Sequence, residues 1–344
     1  GTKFTSTNYK EGSDRFFTHI RKYRSRLNLG MQSVKDGKAS FSWYFGPNDY
    51  NLLASYDKEY DHILNYGWGL FRWINVYAVQ PLFSMLTQSF ALSAGIAILL
   101  LTLIIKFILM PIQWKMYVSS AKMRILKPEI DELNKKYPKQ EDTMKKQMEM
   151  MTLYRESGAS PLSGCIPMLI QMPILLAVFR YFPSTFELRQ KSFLWAEDLS
   201  SYDSIWDFGT NIWFYGDHVS LFTLLMAGTT LIYTIINSGN MQTPQQPGMP
   251  NMKIIMYIFP FLMIFFFNSY ASGLSYYYFV STLISILMMV AIKKFFVDED
   301  KLKAKMAEKK AAAGNGGGKK KSKFQERLEQ MQKMQQEQMK NRKK

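Results

Sequence analysis

The chain has 344 residues, 47% of them hydrophobic, and a formal net charge of +16. The mean hydropathy of −0.14 would fit a soluble protein, but apolar residues are gathered in a few blocks and Lys and Arg in others, as is typical of membrane proteins. One cysteine and three scattered histidines exclude a disulfide framework and offer no metal-ligand spacing. Since phosphate-loop, G-x-S-x-G and H-E-x-x-H motifs are missing as well, we expect no catalytic residues, no metal and no cofactor, and the chain is not predicted to be an enzyme.

The first region, residues 1–60, has the alternating pattern of β-strands. Stretches such as KASFSWYFG are followed by the turn signal Gly46-Pro47-Asn48-Asp49. The region is short for a domain, so we interpret it as the last strands of a larger β-sandwich. The chain starts at Gly1 without an initiator Met or a signal-peptide pattern, and we therefore expect a longer natural N-terminus.

Residues 61–90 predict an amphipathic helix that lies on the membrane. Aromatic and apolar residues recur at helical spacing, and they alternate with polar residues and a central proline, Pro81. Trp and Tyr prefer the lipid headgroup zone, which favours an interfacial helix. A further membrane span is the alternative.

Five segments are long and apolar enough to cross a hydrocarbon core of about 30 Å. They are 91–113, 161–183, 218–237, 253–270 and 273–294. The predicted fold is therefore a mainly α membrane protein, with a five-helix transmembrane core over 91–296, the interfacial helix, a cytoplasmic helical hairpin and the short β-rich periplasmic remnant. The fourth and fifth spans are separated by a tight turn and must form an antiparallel pair.

The distribution of Lys and Arg predicts the orientation in the membrane. The loop 114–160 holds ten Lys or Arg residues and the chain from Lys293 holds seventeen, whereas the loop 184–217 holds two. Five spans place the two basic regions on one side. We expect the N-terminus outside and the C-terminus in the cytoplasm.

The basic loop 114–160 predicts two amphipathic helices that form a cytoplasmic hairpin. Its apolar stripes are rich in methionine, which suits contacts with varied apolar partners. Packing of the two helices against each other is the alternative reading of the same stripes. The candidate contact residues are Met123, Met144, Met148 and Met151.

The C-terminal region 297–344 is basic, of low complexity and interrupted by glycines, so we expect a disordered cytoplasmic tail. Its charge would suit a ribosome or an anionic lipid surface. A solvated run of charge without a specific partner is the alternative.

Lys106 is the most informative single residue, because it interrupts the apolar run LTLIIKFILMP. A charge near the centre of a span costs about 2.5 to 3.5 kcal/mol. Lys106 lies seven residues before Gln113, or about 10 Å inside the cytoplasmic end of the span. The lysine could reach the membrane surface by extending its side chain, or it could face a wet cavity inside the helix bundle, which is the reading we favour.

Other polar residues in the predicted spans support a cavity. Thr102 lies one helical turn before Lys106 on the same face, and the last span brings in several hydroxyl groups, although tyrosine near a span end is also a common interface anchor. The predicted spans contain no acidic residue, so the charge of Lys106 would be available to a ligand. The predicted groove residues are Lys106, Thr102, Gln171, Ser275, Tyr277 and Tyr278.

These features together resemble the YidC/Oxa family of membrane protein insertases, in its Gram-negative form with a periplasmic domain. The stretches that carry the resemblance occur in family order over roughly 66–296. They are YGWGLFRWINVYAVQPLF, MPIQWKMYVSSAKMRILKPEI, SGASPLSGCIPMLIQMPI, ELRQKSFLWAEDLS and FPFLMIFFFNSYASGLSYYYFVSTLISI. Bacterial members usually carry an arginine at the position of Lys106, so the charge is kept here but the planar guanidinium is lost.

The resemblance implies an insertase and chaperone that moves nascent transmembrane segments from the cytoplasm into the bilayer through a hydrophilic groove, without nucleotide hydrolysis. It places Thr102 and Tyr278 where the groove contacts substrate. The implied partners are nascent membrane proteins and phospholipid, a ribosome bound through the tail, and the Sec translocon.

Two other classes of function remain open on the sequence alone. A secondary transporter can also bury a lysine, although it usually shows two repeated halves, and no internal repeat is evident. A scaffold that tethers ribosomes to the membrane would need the basic tail but not Lys106.

Overall fold

The computed structural model describes residues 3–8, 21–26, 43–56, 59–137, 143–159, 166–238, 252–295 and 297–314. It divides into two compact units, Gly1–Pro47 and Asn48–Lys344. The second unit is mainly helical and contains every predicted site residue. The predicted class, a helical protein with membrane-length apolar helices, is confirmed at that level, while the count of five membrane crossings stays a prediction.

The first unit contains an antiparallel pair of strands, β1 (Lys3–Asn8) and β2 (Arg21–Arg26). Their register runs from Lys3 opposite Arg26 to Asn8 opposite Arg21. This pair agrees with the β pattern expected for residues 1–60. The end of the KASFSWYFG stretch, 43–46, is not a strand, and its beginning lies outside the described residues. A larger sandwich stays a prediction.

The second unit begins with α1 (Tyr50–Ala54) and a single 3-10 turn, Tyr60–Ile63. A helical segment then runs from 70 to 89 as α2 (Leu70–Ile74) and α3 (Gln80–Ser84), each followed by a π-helical turn. Trp68, Trp73 and Tyr77 are exposed, whereas Asn75 and Phe83 are buried. The segment therefore has one exposed face and one buried face. Its position at the bilayer surface stays a prediction.

Glu187 connects this helical segment to the short 3-10 turn Phe186–Leu188. Its carboxylate accepts hydrogen bonds from Thr87 Oγ1 at 2.9 Å and from Gln80 Nε2 and Gln88 Nε2 at 3.3 Å. Burial raises the pKa of Glu187 above its ordinary value of 4.5, since desolvation disfavours the charged form and outweighs these bonds. The attachment of the segment should therefore depend on pH.

We expect the raised pKa of the Glu187 carboxyl group to make the folded protein less stable as pH rises. The folded protein binds the Glu187 proton more tightly than the unfolded chain, so the stability that it contributes is complete at low pH and is lost above about pH 4.5, as the raised pKa is approached and passed. Glu187→Gln should flatten this part of the dependence. The check is the thermal unfolding midpoint of both proteins between pH 4.5 and 8. Parallel curves would contradict the prediction.

The first apolar helix, α4 (Ala94–Ile125), is 32 residues long, which corresponds to about 48 Å. It contains the predicted first span and runs beyond it, through Pro111. The predicted hairpin region 114–160 therefore begins within α4, because residues 114–125 belong to that helix. The break comes at Leu126, before α5 (Lys127–Lys136), since Pro128 cannot donate a backbone hydrogen bond to the preceding turn.

The remaining apolar helices overlap the other predicted spans. They are α7 (Ile166–Ser184), α8 (Leu221–Ser238), α9 (Met252–Phe267) and α10 (Ser272–Phe295). By length and hydropathy α4 and α10 could each cross a membrane, and shorter apolar helices lie at Leu221–Asn237 and Ile254–Phe267. The third predicted span starts too early, because residues before Leu221 form a β-hairpin.

That hairpin consists of β3 (Trp206–Ile212) and β4 (Gly216–Val219), which pair antiparallel with a bulge. Asp203, just before β3, is buried and connects the hairpin to α8. Its carboxylate accepts bonds from the backbone N–H groups of Leu221 at 2.9 Å and Phe222 at 3.1 Å. It also accepts from the side chains of Ser220 at 2.5 Å and Trp195 at 2.8 Å. The unpaired N–H groups at the start of α8 are thus satisfied by a negative charge.

Asp203→Ala is expected to destabilise the protein by about 3 kcal/mol, because it leaves several buried donors without an acceptor. The thermal unfolding midpoint in detergent should fall by several degrees. Asp207→Ala is the matched control, since Asp207 is exposed and its carboxylate bonds only to the Ser204 hydroxyl, at 2.6 Å, among described residues. Equal shifts for the two variants would rule out the proposed role of Asp203 at α8.

The predicted cytoplasmic hairpin is α5 packed with α6 (Thr143–Ser157). A buried apolar cluster, which we call the hairpin cluster, joins α4, α5, α6 and one further helix. Its members are Met123, Leu126, Ile130, Met150, Leu153, Tyr154 and Met306.

The further helix, α11 (Glu299–Gly314), corrects the prediction of a disordered tail from residue 297 onward. Met306 places an apolar side chain in the hairpin cluster, and Leu302, one turn earlier, packs against it. Arg124 pairs with Glu299 at 3.4 Å, and Lys310 pairs with Glu129. Because charged residues dominate this segment, its composition predicts disorder although Leu302 and Met306 have the spacing of one helical face. Residues 315–344 lie outside the described residues.

Candidate functional site

The candidate site lies between α4 and α10, which pack side by side and begin at the same end. Each has a glycine in its first turn under the loop that follows α7. A Cβ on Gly95 would lie 2.0 Å from the Phe193 ring, and one on Gly273 would lie 2.9 Å from the carbonyl oxygen of Leu199. The same added atom on Gly273 would lie 3.5 Å from Ile98 Cδ1 of α4. The two helices are therefore parallel and in close contact.

Lys106 and Ser285 meet at equal depth along this pair. Lys106 lies twelve residues after the start of α4, and Ser285 lies thirteen residues after the start of α10, so both are about 18 to 20 Å from the helix starts. Lys106 Nζ donates a hydrogen bond to Ser285 Oγ at 2.8 Å. Ser285 Oγ in turn donates to the carbonyl oxygen of Ser281 at 2.9 Å.

The ammonium group of Lys106 is buried without a counter-charge in the part of the chain that the structure describes. The residue is 4% exposed, and none of the described ion pairs includes it. Lysine carries three N–H donors, and the described residues engage one of them. A serine hydroxyl cannot neutralise the charge, so the remaining donors favour an acidic or strongly polar ligand.

The structure brings one further predicted groove residue close to Lys106. Thr102 lies one turn earlier on α4, is fully buried, and donates its hydroxyl to the carbonyl oxygen of Ile98 at 2.7 Å. This bond satisfies the hydroxyl within the helix and leaves it turned away from solvent in this conformation. The role of Thr102 as a substrate contact stays a prediction.

Ser275 does not join the Lys106 group. It lies ten residues before Ser285 on α10, which is about 15 Å along the helix. Its hydroxyl lies 3.2 Å from that of Thr223, which also bonds to Ser220 at 2.9 Å. Ser275 therefore belongs to the polar group that holds the start of α8.

Tyr277 and Tyr278 lie on α10 between Ser275 and Ser285, and Gln171 lies on the neighbouring helix α7. Tyr277 is buried, with its ring centroid 5.6 Å from that of Phe182 in α7. Tyr278 is half-buried and packs near Phe267 of α9 at 6.1 Å. Gln171 is half-buried in α7.

The predicted methionine contacts divide between packing and exposure. Met123 is buried in the hairpin cluster, which favours the packing alternative for this residue. Met148 is 48% exposed and Met151 is half-buried, so both retain surface for a partner. The side chain of Met144 lies outside the described residues.

Ser285 is the site residue that sequence reasoning missed. Ser281 and Ser285 are one turn apart in the last predicted span, and their depth in that span matches the depth of Lys106 in the first. If the first and last spans are taken to be parallel and to start at the same level, a comparison of depths pairs Lys106 with Ser285. Among the described residues, no group of three or more His, Cys, Asp or Glu could hold a metal ion.

Several apolar helices packed side by side, one of them with a buried lysine, define the class of the chain as a helical membrane protein. Comparison with known proteins agrees. Residues 85–300 match the family described as 60Kd inner membrane protein.

Curated relatives give the same result. The chain is 47% identical over 269 residues to a protein of Parabacteroides distasonis, which covers 75% of this chain and 42% of the relative. It is 46% identical over 273 residues to one of Bacteroides fragilis, with 78% and 43% covered. It is 47% identical over 253 residues to one of Porphyromonas gingivalis, with 70% and 40% covered. All three relatives are named membrane protein insertase YidC.

The chain therefore belongs to the 60Kd inner membrane protein family, which confirms the family resemblance found in the sequence. The family indicates a protein of the bacterial inner membrane. The chain spans less than half the length of these curated relatives.

Proposed function

We propose that this chain is a membrane protein insertase, which moves transmembrane segments of nascent polypeptides from the cytoplasm into the bilayer. The observation that carries the proposal is the buried ammonium of Lys106, held at mid-depth between α4 and α10 by a serine hydroxyl alone among described groups. An unneutralised charge at that depth is costly. A transient acidic or polar ligand would offset the cost.

In the proposed arrangement α4, α7, α8, α9 and α10 each cross the membrane. The region before α4 faces the periplasm, whereas the hairpin of α5 and α6 faces the cytoplasm together with α11. The excess of Lys and Arg in the loop 114–160 and beyond Lys293 supports this orientation. The exposed aromatic side chains of the segment 70–89 support its position at the periplasmic surface of the bilayer.

The physical task of an insertase is to carry polar backbone through hydrocarbon. Each unpaired backbone group there costs several kcal/mol, and about ten polar residues would cost tens of kcal/mol. A groove that opens to the cytoplasm and to lipid shortens the apolar path. Lys106 would attract acidic residues of the incoming segment into the groove, with Thr102, Gln171 and Tyr278 along its wall.

The energy for insertion comes from the substrate. About 20 apolar residues enter lipid along the exposed faces of α8 and α10, and their transfer out of water is favourable without nucleotide hydrolysis. We propose that Met148 and Met151 of the cytoplasmic hairpin make the first apolar contacts with the substrate. The basic tail would hold the ribosome, and the Sec translocon would be a further partner.

Site-specific photo-crosslinking tests this path. A photo-reactive amino acid at Tyr278 or Gln171 should form adducts with a stalled nascent chain that carries one transmembrane segment. The control position is Phe261, an exposed residue of α9 outside the proposed path. Adducts at Phe261 that equal those at Tyr278 and Gln171, or no adducts at either groove position, would refute the groove.

A further inference from the structure

The β3–β4 hairpin carries an aromatic surface that the proposed insertion path does not use. Five of the ten residues from Trp206 to Tyr215 are aromatic, and Asp207 is the one charged residue among them. Every residue of β3 is exposed. In the connection to β4, Trp213 and Phe214 are 85% and 73% exposed. So many exposed rings in a short segment mark an interaction surface.

Three of the five rings of the hairpin form a continuous row that ends on α9, and the other two, Trp213 and Phe214, pack on each other with centroids 4.1 Å apart. Centroid distances are 6.0 Å from Trp206 to Phe208, 6.1 Å from Phe208 to Tyr215, and 5.8 Å from Tyr215 to Phe265 of α9. Phe265 belongs to the exposed apolar face of α9. That face consists of Ile254, Ile255, Ile258, Phe259, Phe261, Leu262, Phe265 and Phe266. Lipid or protein that covers the exposed face of α9 therefore also contacts the hairpin.

The hairpin is held firmly against the end of α9. Asn268 Nδ2 donates to the carbonyl oxygens of Tyr215 at 2.9 Å and His218 at 2.8 Å, and Asn268 Oδ1 accepts from the N–H of Ser220 at 3.0 Å. A Cβ on Gly216 would lie 3.2 Å from Ser269 Oγ. These contacts fix the position of the hairpin along the axis of α9.

We propose that the β3–β4 hairpin is a membrane anchor, which lies in the headgroup zone of the bilayer with Trp213 and Phe214 inserted between lipids. The inference rests on the proposed arrangement in which α9 spans the membrane. The hairpin joins α8 at its first residue and α9 at its last turn, so it lies at the level where the two spans end. Trp and Tyr prefer that level, where the ring is in apolar surroundings and its polar atom meets water.

Lipid fits this surface better than a protein partner does. The surface continues the exposed face of α9, which the bilayer would cover along its whole length. The hairpin carries two carboxylates, and both are engaged within it, since Asp207 is bonded to Ser204 and Asp217 lies 2.9 Å from Nδ1 of the buried His218. An anchor at this place would fix the tilt of α8 and α9 in the membrane.

Depth-dependent fluorescence quenching tests the anchor. In a Cys165→Ser background, Trp213→Cys is labelled with the fluorophore NBD, and the full chain is reconstituted in vesicles of phosphatidylethanolamine and phosphatidylglycerol. Quenchers are lipids that carry a nitroxide near the headgroup or near the chain end, and aqueous iodide. We expect quenching at Trp213→Cys to be at least about twofold stronger with the shallow nitroxide than with the deep one.

Ile258→Cys, midway along the exposed face of α9, is the reference and should be quenched best by the deep nitroxide. If iodide quenches the Trp213→Cys label and neither lipid does, the anchor is wrong while the α9 span stands. A label shielded from all three quenchers would mean that protein covers the hairpin, which also overturns the proposal. If lipid nitroxides fail to quench the label at Ile258→Cys, α9 does not cross the membrane, and the anchor proposal is then also wrong.

Discussion

Lys106→Met is expected to reduce the insertion of a single-span substrate with acidic residues in its translocated segment by about tenfold, which corresponds to about 1.4 kcal/mol. Methionine has a similar length and keeps the apolar packing, but it removes the positive charge that would attract the substrate. Lys106→Arg should retain most activity, because the role depends on charge. The measurement is protease protection of the substrate in proteoliposomes.

Lys115→Met is the matched control for this prediction. Lys115 is an exposed residue of the same helix, nine positions further on, beyond the predicted span. Its loss removes one charge without touching the buried site, so activity should stay close to that of the wild type. A substrate with a neutral translocated segment should be much less sensitive to Lys106→Met. Full activity of Lys106→Met on the acidic substrate would exclude the electrostatic role.

Gly273→Val is expected to be the most damaging single change to the fold, at about 3 kcal/mol or more, because the added atoms meet backbone rather than a movable side chain. The N–H of Gly273 donates to the carbonyl oxygen of Leu199 at 2.9 Å, and the neighbouring Ser272 N–H donates to that of Ser201 at 2.6 Å. These bonds satisfy the start of α10. A Cβ would push α10 off the loop and disturb its alignment with α4.

The control for Gly273 is Gly228→Ala in α8, where an added Cβ meets nothing within 4 Å. Alanine in an open helical position should be neutral or stabilising by up to about 1 kcal/mol. Thermal unfolding in detergent compares the two variants. A normal unfolding midpoint for Gly273→Val would mean that α10 does not approach the loop as closely as described. Since Lys106 and Ser285 depend on this alignment, activity should fall together with stability.

The sequence predicted the apolar helices well, because their signal is long and strong. Each predicted span overlaps a helix, and the position of Lys106 deep in α4 follows from counting residues. The family was also predicted correctly, from stretches in the same order as in known members. The sequence predicted the helix ends less well, since α4 continues through Pro111 and stops only before Pro128.

The sequence failed where contacts between distant residues decide the structure. Ser285 lies 179 positions from Lys106, and no local pattern connects them. The β3–β4 hairpin and the buried Asp203 come from a loop that composition describes as irregular. For α11, a high density of charge predicts disorder, whereas Met306 and two ion pairs attach this helix to α4, α5 and α6. Tertiary contacts overrode composition in that helix.

The contacts of α11 also bear on the predicted hairpin. Because α11 packs on the hairpin cluster together with α4, α5 and α6, it holds the predicted hairpin against the end of α4.

Insertion by the purified chain is the most direct test of the proposed function. Proteoliposomes that contain this chain alone receive a released single-span substrate after nucleotide has been removed with apyrase. We expect a protease-protected fragment with these vesicles and little protection with protein-free vesicles. Equal protection in both vesicle types, or protection that returns only when ATP is added, would contradict the proposed function.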